Sequence, residues 1–405
     1  MSARQIGGAV YPGSPREVLA AFTKLGVSAF GGPIAHLGYF RAEFVSRRRW
    51  LAEAEYADLV ALCQFLPGPA SSQVGFAIGL QRAGPLGALA AWIGFTLPSA
   101  LLMTALAFGA AAMTGPLARG AVQGLKLVAV AVVAQAVFGM ARTLAPDPRR
   151  AGIALGAMLL VTVLPAMPGQ LLAVAFGLLA GLLLCRDAEV TVLQAHAFPV
   201  SPKAGLAALS AYLLLLLAIP VLTLATGSPW LARFDAFYRS GALVFGGGHV
   251  VLPLLKQAVV DPGWIGSDRF VAGYGAAQAM PGPLFTFAAF LGAAENGFPN
   301  GVLGAAMAIA AIFLPGLLAL LAILPFWSQL RRRRDAQAAV RGANAAVVGL
   351  LAVALYDPVW TGAVRNPLDF ACVAVGFTML TVFKLPPIAL VLAGLGAGMV
   401  RAVLP

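Results

Sequence analysis

Eight stretches of the chain, residues 86–113, 121–141, 151–185, 204–226, 301–327, 343–356, 367–383 and 385–400, carry almost no charge. A helix needs about 20 apolar residues to cross the hydrocarbon core of a bilayer. A chain that is 60% hydrophobic and only 10% charged lacks the polar surface that a soluble domain of this length requires. The apolar runs do not alternate with polar residues, which excludes an outer-membrane barrel. The fold class expected is an all-α polytopic membrane protein.

Charge and punctuation narrow this further. The net charge of +12 sits mostly in short polar segments such as "SRRRW" (46–50), "DPRR" (147–150) and "RRRR" (331–334). Such runs mark cytoplasmic loops rather than a nucleic-acid surface. Residues 1–16 are polar and rich in Gly and Pro, so no cleavable signal is expected there. Cys63, Cys185 and Cys372 are scattered without ligand-like spacing. No metal site, prosthetic group or nucleotide loop is expected.

The sequence repeats itself. Phe30-Gly31-Gly32 recurs as Phe245-Gly246-Gly247, and Lys24 as Arg239, both at an offset of 215. Trp50 recurs as Trp264, Gln64 as Gln278, and Pro67-Gly68-Pro69 as Pro281-Gly282-Pro283, all at 214, while Pro98 recurs as Pro315 at 217. Basic and non-basic loops exchange places between the copies. Arg47–Arg49 and Arg82 face "VVDPGWIGSD" and Glu295, whereas "RRRR" faces the weakly charged "TGPLARG". If basic loops stay cytoplasmic, the two halves enter the membrane upside down relative to each other. The expected division is a first repeat over 1–200, a linking transmembrane helix over 201–228, and a second, inverted repeat over 229–405.

The Pro-Gly-Pro and Phe-Gly-Gly breaks interrupt apolar segments whose arms are too short to span alone. Two readings stay open. Each broken segment is a re-entrant hairpin, or each is one kinked span, which would give about 13 crossings. Irregular backbone inside a bilayer survives only when buried in protein or lining a wet cavity. Matched breaks in inverted halves therefore point to a transport site near the midplane. The helices that begin after the breaks, at Ser71-Ser72 and Thr286, present unpaired amides and a positive dipole end, which suits an anion. Gln64 and Gln278 add amide donors, and the Gly31-Gly32 and Gly246-Gly247-Gly248 turns add backbone donors. Lys24 and Arg239 would supply formal charge, with snorkelling to an interface as the plainer reading. His36 and His249 are structural, ligating or proton-carrying residues. Lys126 and its counterpart Asn344 line a pathway or tie helices together. Membrane-interior carboxylates, which a cation carrier would keep, are nearly absent.

The segments "FGGPIAHLGYFRAEFVSRRRWL", "QFLPGPASSQVGFAIG" and "GFTLPS", with "FGGGHVVLPLL" and "QAMPGPLFTFAAFLG" in the second half, resemble the long, two-halved branch of the chromate ion transporter family. The resemblance covers nearly the whole chain. It implies a bacterial inner-membrane exporter of chromate that confers resistance to it, depends on the proton-motive force, and meets sulfate as a look-alike. Chromate is a tetrahedral dianion without donors, which a cage of amides and hydroxyls suits. Export is then a uniport, or is coupled to protons through His36, His249 or Glu43. An importer or exchanger of sulfate is the nearest rival. A channel is another. A membrane-embedded enzyme is remote, because no activated nucleophile or metal-binding motif is evident. The partners expected are the anion and the bilayer, with oligomeric state unspecified.

Overall fold

The computed structural model describes residues 4–6, 9–112, 115–164, 167–186, 199–245, 248–330 and 333–403. The chain opens with a small antiparallel hairpin, β1 (Arg4–Ile6) and β2 (Ala9–Tyr11), the one departure from the expected all-α fold among these residues. Then follow α1 (Pro15–Ser28), α2 (Gly32–Phe40, continuing as a wider turn to Arg47), α3 (Glu53–Phe65), α4 (Ala70–Ala112), α5 (Pro116–Leu144), α6 (Pro148–Val163) and α7 (Met167–Leu184). Helix α8 (Pro202–Thr226) leads to α9 (Pro229–Ala242), α10 (Val251–Leu255), α11 (Ser267–Ala277), α12 (Phe287–Ala294) and α13 (Gly301–Ile323). The chain closes with α14 (Trp327–Leu330), α15 (Arg334–Ala354), α16 (Thr361–Ala363), α17 (Pro367–Thr381) and α18 (Pro387–Arg401). Five helical stretches are long and apolar enough to cross a membrane: Ala70–Gly109, Pro116–Leu144, Pro202–Thr226, Gly301–Leu330 and Arg334–Ala363.

The broken segments double back. A continuous helix would set Phe22 and Phe40 about 27 Å apart. Their ring centroids are 5.5 Å apart, and Phe22 stacks on Phe44 at 4.8 Å. The second segment also returns to its origin. Arg82, at its end, lies 4.9 Å over the ring of Trp50, just before its start, and bonds Glu17 at the start of α1 at 3.1 Å. Helix α4 then turns at Ala83 and Gly84, whose backbone is not helical, and sets out again as a full span. Of the two readings left open by the sequence, the hairpin is the one found.

The second half repeats this base with its charges exchanged. Arg233, on α9, lies 4.8 Å over the ring of Trp264 and bonds Glu295, after the second hairpin, at 2.7 Å. In the first half the acid is on the first helix and the base follows the hairpin. In the second half these roles are reversed.

The two bases lie at opposite ends of the molecule. The spanning part of α4 starts beside the first base. It runs about 36 Å over 85–108 and ends where Arg269 donates to the Ala107 carbonyl and Phe108 meets Gly301. Those partners belong to the second base. Conversely, α13 leaves the second base and delivers Trp327 to Asp58 of α3, at 3.1 Å. The halves are thus inverted, as the loop charges imply.

They are also interlocked. Helix α5 of the first half packs on α17 and α18 of the second, and α15 of the second packs on α6 and α7 of the first. Each crossing is a seam of small residues: Gly120 and Gly124 against Gly394 and Gly398, and Gly177 and Gly181 against Gly342 and Ala346. Small residues let membrane helices approach until backbones touch, where dispersion replaces the missing hydrophobic drive. Most of the buried apolar side chains fall into two clusters, each holding one half's hairpins with helices of the other.

Candidate functional site

At the centre, each half supports the break of the other. Gly68 has φ 113° and Gly282 φ 85°, left-handed conformations that favour glycine. The Gly68 amide donates to the Val244 carbonyl at 2.7 Å, and the Gly282 amide donates to the Ala29 carbonyl at 2.9 Å. Val244 and Ala29 are themselves repeat equivalents, each immediately before a Phe-Gly-Gly turn. The same contact is therefore made twice, as a pseudo-twofold relation demands. The Pro-kinked spans join in. Gln73 Nε2 bridges the Pro67 and Gly316 carbonyls, both at 2.8 Å, and Pro69 abuts Gly316. On the other side Thr286 Oγ1 lies 2.7 Å from Ser99 Oγ and donates to the Pro283 carbonyl at 2.7 Å. Pro281 and Pro283 are buried there.

One of the two junctions encloses a cavity of ≈ 60 Å³, several times what a single water needs. Gly31 and Gly32 form one wall. Gln278, Gly282 and His249 form the opposite wall, with Ala277, Met280 and Leu284. Val132 and Gln135 of α5, with Pro387 at the start of α18, complete it. Polar groups on this wall are amides and an imidazole, and no Lys, Arg, Asp or Glu lines it. Phe30 is half-buried beside Gly31. Gly248, in a short 3-10 turn, is buried against Pro33 and Leu284.

The remaining candidates are placed elsewhere. Lys24 is exposed on α1, one turn before the helix ends at Ser28. Arg239 is paired with Asp235 one turn away on α9, so its charge is already compensated. Gln64 is exposed, and its partner in the repeat, Gln278, is in the cavity wall. His36 is buried. Its Nδ1 lies 3.4 Å from Ser71 Oγ, its ring meets Phe95 edge-on at 5.2 Å, and its Nε2 has no partner. Ser72 Oγ is likewise buried without a partner. Gly246 and Gly247 lie outside the described residues. Glu43 is held by Arg47 at 2.9 Å and Arg48 at 2.6 Å beside the first base. Lys126, fully buried on α5, donates to Asp268 at 2.6 Å and ties α5 to the start of α11. Asn344 is half-buried on α15 with Oδ1 unpartnered.

Gln135, Gln73 and Ser99 were not singled out by motif. Gln135 had a weak signal, as a lone amide in an otherwise apolar span whose Nε2 otherwise reaches only the Leu380 carbonyl, at 3.4 Å.

The family profile described as "Chromate transporter" matches residues 16–184 and again residues 231–399. The two segments start 215 residues apart, the offset of the Phe-Gly-Gly pair. The chain belongs to the chromate transporter family. A chromate transport protein of Pseudomonas aeruginosa is 28% identical over 385 residues, covering 92% of this chain and 88% of the relative. A probable chromate transport protein of Synechococcus elongatus is 28% identical over 364 residues, 84% of each. A chromate transport protein of Cupriavidus metallidurans is 26% identical over 339 residues, covering 83% of this chain and 80% of the relative. No solved structure matches the transporter.

Proposed function

We propose that the protein carries chromate outward across the bacterial inner membrane, and so confers chromate resistance, with the membrane potential or proton gradient as the driving force. The observation that carries this reading is the cavity where Gly31-Gly32 of one half face Gln278, His249 and Gly282 of the other. Amide and imidazole donors suit four acceptor oxygens, while an unpaired carboxylate would repel a dianion. Charge-neutral donors hold an anion less tightly than a fixed cation, and a carrier must release its cargo as well as bind it.

The relatives named as chromate transport proteins support chromate as the cargo. The membrane potential favours outward movement of a dianion by about 2.3 kcal/mol per charge per 100 mV. In this reading residues 1–200 and 229–405 are the two transporting repeats, residues 201–228 join them, and no covalent chemistry is performed. Lys24, exposed near the end of α1, draws the anion toward the Gly31 turn that follows. Ser71, Ser72 and His36 hold the equivalent position at the other junction.

The test is flux in liposomes with labelled chromate against sulfate, phosphate and chloride, under an imposed potential and then an imposed pH gradient. Chromate flux that an imposed potential accelerates is expected. Robust sulfate flux without chromate flux would reassign the cargo. No anion flux under either gradient would refute the function.

A further inference from the structure

We propose that Tyr274 sets the tautomer of His249, so that the imidazole presents an N–H donor, and not a lone pair, to the anion in the cavity. The inference rests on the cavity being the anion site.

His249 lines the cavity, and its Nδ1 lies 2.6 Å from the Tyr274 hydroxyl. A neutral imidazole has one donor nitrogen and one acceptor. Two arrangements fit that distance. In one, the phenol donates to Nδ1, and Nε2 carries the ring proton. In the other, Nδ1–H donates to the phenol oxygen, and Nε2 is left as an acceptor. The surroundings of the phenol decide between them. Tyr274 is wholly buried on α11 between Phe287, at 5.6 Å edge-on, and the histidine. Its hydroxyl bonds His249, and the Gln278 side-chain amide also approaches it as a donor to the phenol oxygen, which supplies no acceptor for the phenol proton. In the second arrangement the phenol proton would be buried without an acceptor, which costs a full desolvation penalty. In the first arrangement every proton has a partner or faces the cavity. With Nδ1 occupied, Nε2–H is what the ring offers to a ligand.

The consequence for a dianion is direct. A donor nitrogen attracts an oxyanion, and an acceptor lone pair repels it. Tyr274 does not line the cavity and touches no cargo, so it is a positioning residue acting through His249. The hydroxyl is the whole of its effect, and Tyr274→Phe keeps the ring and its packing on Phe287. His36 differs, because its Nδ1 faces a serine that is both donor and acceptor, and so its tautomer is not fixed in the same way.

Transport kinetics in liposomes and equilibrium anion binding in detergent test this, with chromate and sulfate as probes. Tyr274→Phe is expected to raise the KM and Kd for the transported anion about 3- to 10-fold, with maximal flux changed less than twofold. His249→Asn, which keeps an amide near Nδ1, should raise KM at least threefold more than His249→Gln, whose amide reaches the place of Nε2. Adding Tyr274→Phe to His249→Gln should change KM less than twofold, because no ring remains to be oriented. That last comparison separates positioning from general support, which would act in either background. Unchanged KM in folded Tyr274→Phe, or an equal loss in the His249→Gln background, overturns the inference while leaving the function standing. Should Tyr274→Phe fail to fold, the contrast of His249→Asn with His249→Gln decides, and equal KM values overturn the inference. If the wild-type protein binds and moves none of the anions, the function falls and the inference falls with it.

Discussion

The two hairpin bases solve one problem with opposite charge order, and their energies should differ in a calculable way. Arg233 and Glu295 have side chains 8% and 0% exposed, and the guanidinium also donates to the Asn296 carbonyl at 2.9 Å and covers Trp264. Arg82 and Glu17 are 17% and 23% exposed. Removing one partner of a buried pair leaves an uncompensated charge and costs about 3–5 kcal/mol, so Glu295→Ala should lose about that much. The Glu17–Arg82 pair is wetter, and Glu17→Ala should lose only about 1 kcal/mol. The double substitution Arg233→Glu with Glu295→Arg recreates the order of the first half, base after the hairpin and beside the tryptophan. It should recover at least half of the loss seen in Glu295→Ala. Equilibrium unfolding of purified protein in mixed micelles, followed by tryptophan fluorescence, gives the comparison. Equal losses for Glu295→Ala and Glu17→Ala would refute the burial argument, and a swapped double variant no better than Glu295→Ala would refute the equivalence of the two bases.

Two further outcomes follow from the fold. A side chain at Gly124 would run into the Gly394 carbonyl, whereas one at Gly139 of the same helix meets nothing within 4 Å. Gly124→Leu should therefore abolish recovery of folded protein by gel filtration, while Gly139→Leu should be recovered at wild-type yield. Inverted halves place Ala54 and Asp261, both exposed, on opposite sides of the membrane. With Cys185 and Cys372 replaced, an impermeant maleimide applied to intact cells should label Asp261→Cys and spare Ala54→Cys, and labelling of both or neither would contradict the topology.

Much of this architecture was legible because the constraints act over short range. A bilayer demands long uncharged helices, so the five long spans could be read from composition, whereas the uncharged stretches 151–185, 367–383 and 385–400 form shorter helices. Pro67-Gly68-Pro69 and Pro281-Gly282-Pro283 announce breaks, since proline lacks an amide hydrogen and glycine accepts the left-handed turn. The exchange of loop charges carries orientation. What could not be read was which half completes which break. The bonds from Gly68 to Val244 and from Gly282 to Ala29 cross between repeats, and no periodicity records a contact between distant segments. The fate of the charged candidates was equally hidden. Arg239 has its counter-ion one turn away at Asp235, a pairing that sequence spacing permits but does not require. Lys126 finds Asp268 across 142 positions of sequence. Gln135 enters the cavity only because α5 passes the other half's hairpins, a consequence of the interlocked spans.

That interlocking bears on how the cavity can open. If each half were a separate body, a rocking motion would pull Gly68 from Val244 and Gly282 from Ala29 together. Here α18 is fixed to α5 through the Gly120–Gly124 seam, and α7 is fixed to α15 through the Gly177–Gly181 seam, with α17 and α6 packed on the same two helices. Each seam brings backbones into contact over about one turn, whereas the breaks meet through the Gly68–Val244 and Gly282–Ala29 bonds and a few side-chain bonds such as Gln73 to Gly316. A packed seam resists separation more than one exchangeable hydrogen bond does. In the proposed reading of the protein as a carrier, the hairpins, bound at their bases by Glu17–Arg82 at one end and Arg233–Glu295 at the other, are the parts that shift against the crossed helices. Because the two hairpin sets are inverted copies, a shift that loosens one junction toward its base is matched, on reversal, by the same shift at the other. On the proposed function, alternating exposure of an anion at the cavity would need only one kind of local movement made in turn by each half, and the reciprocal glycine bonds are where that movement would be felt first.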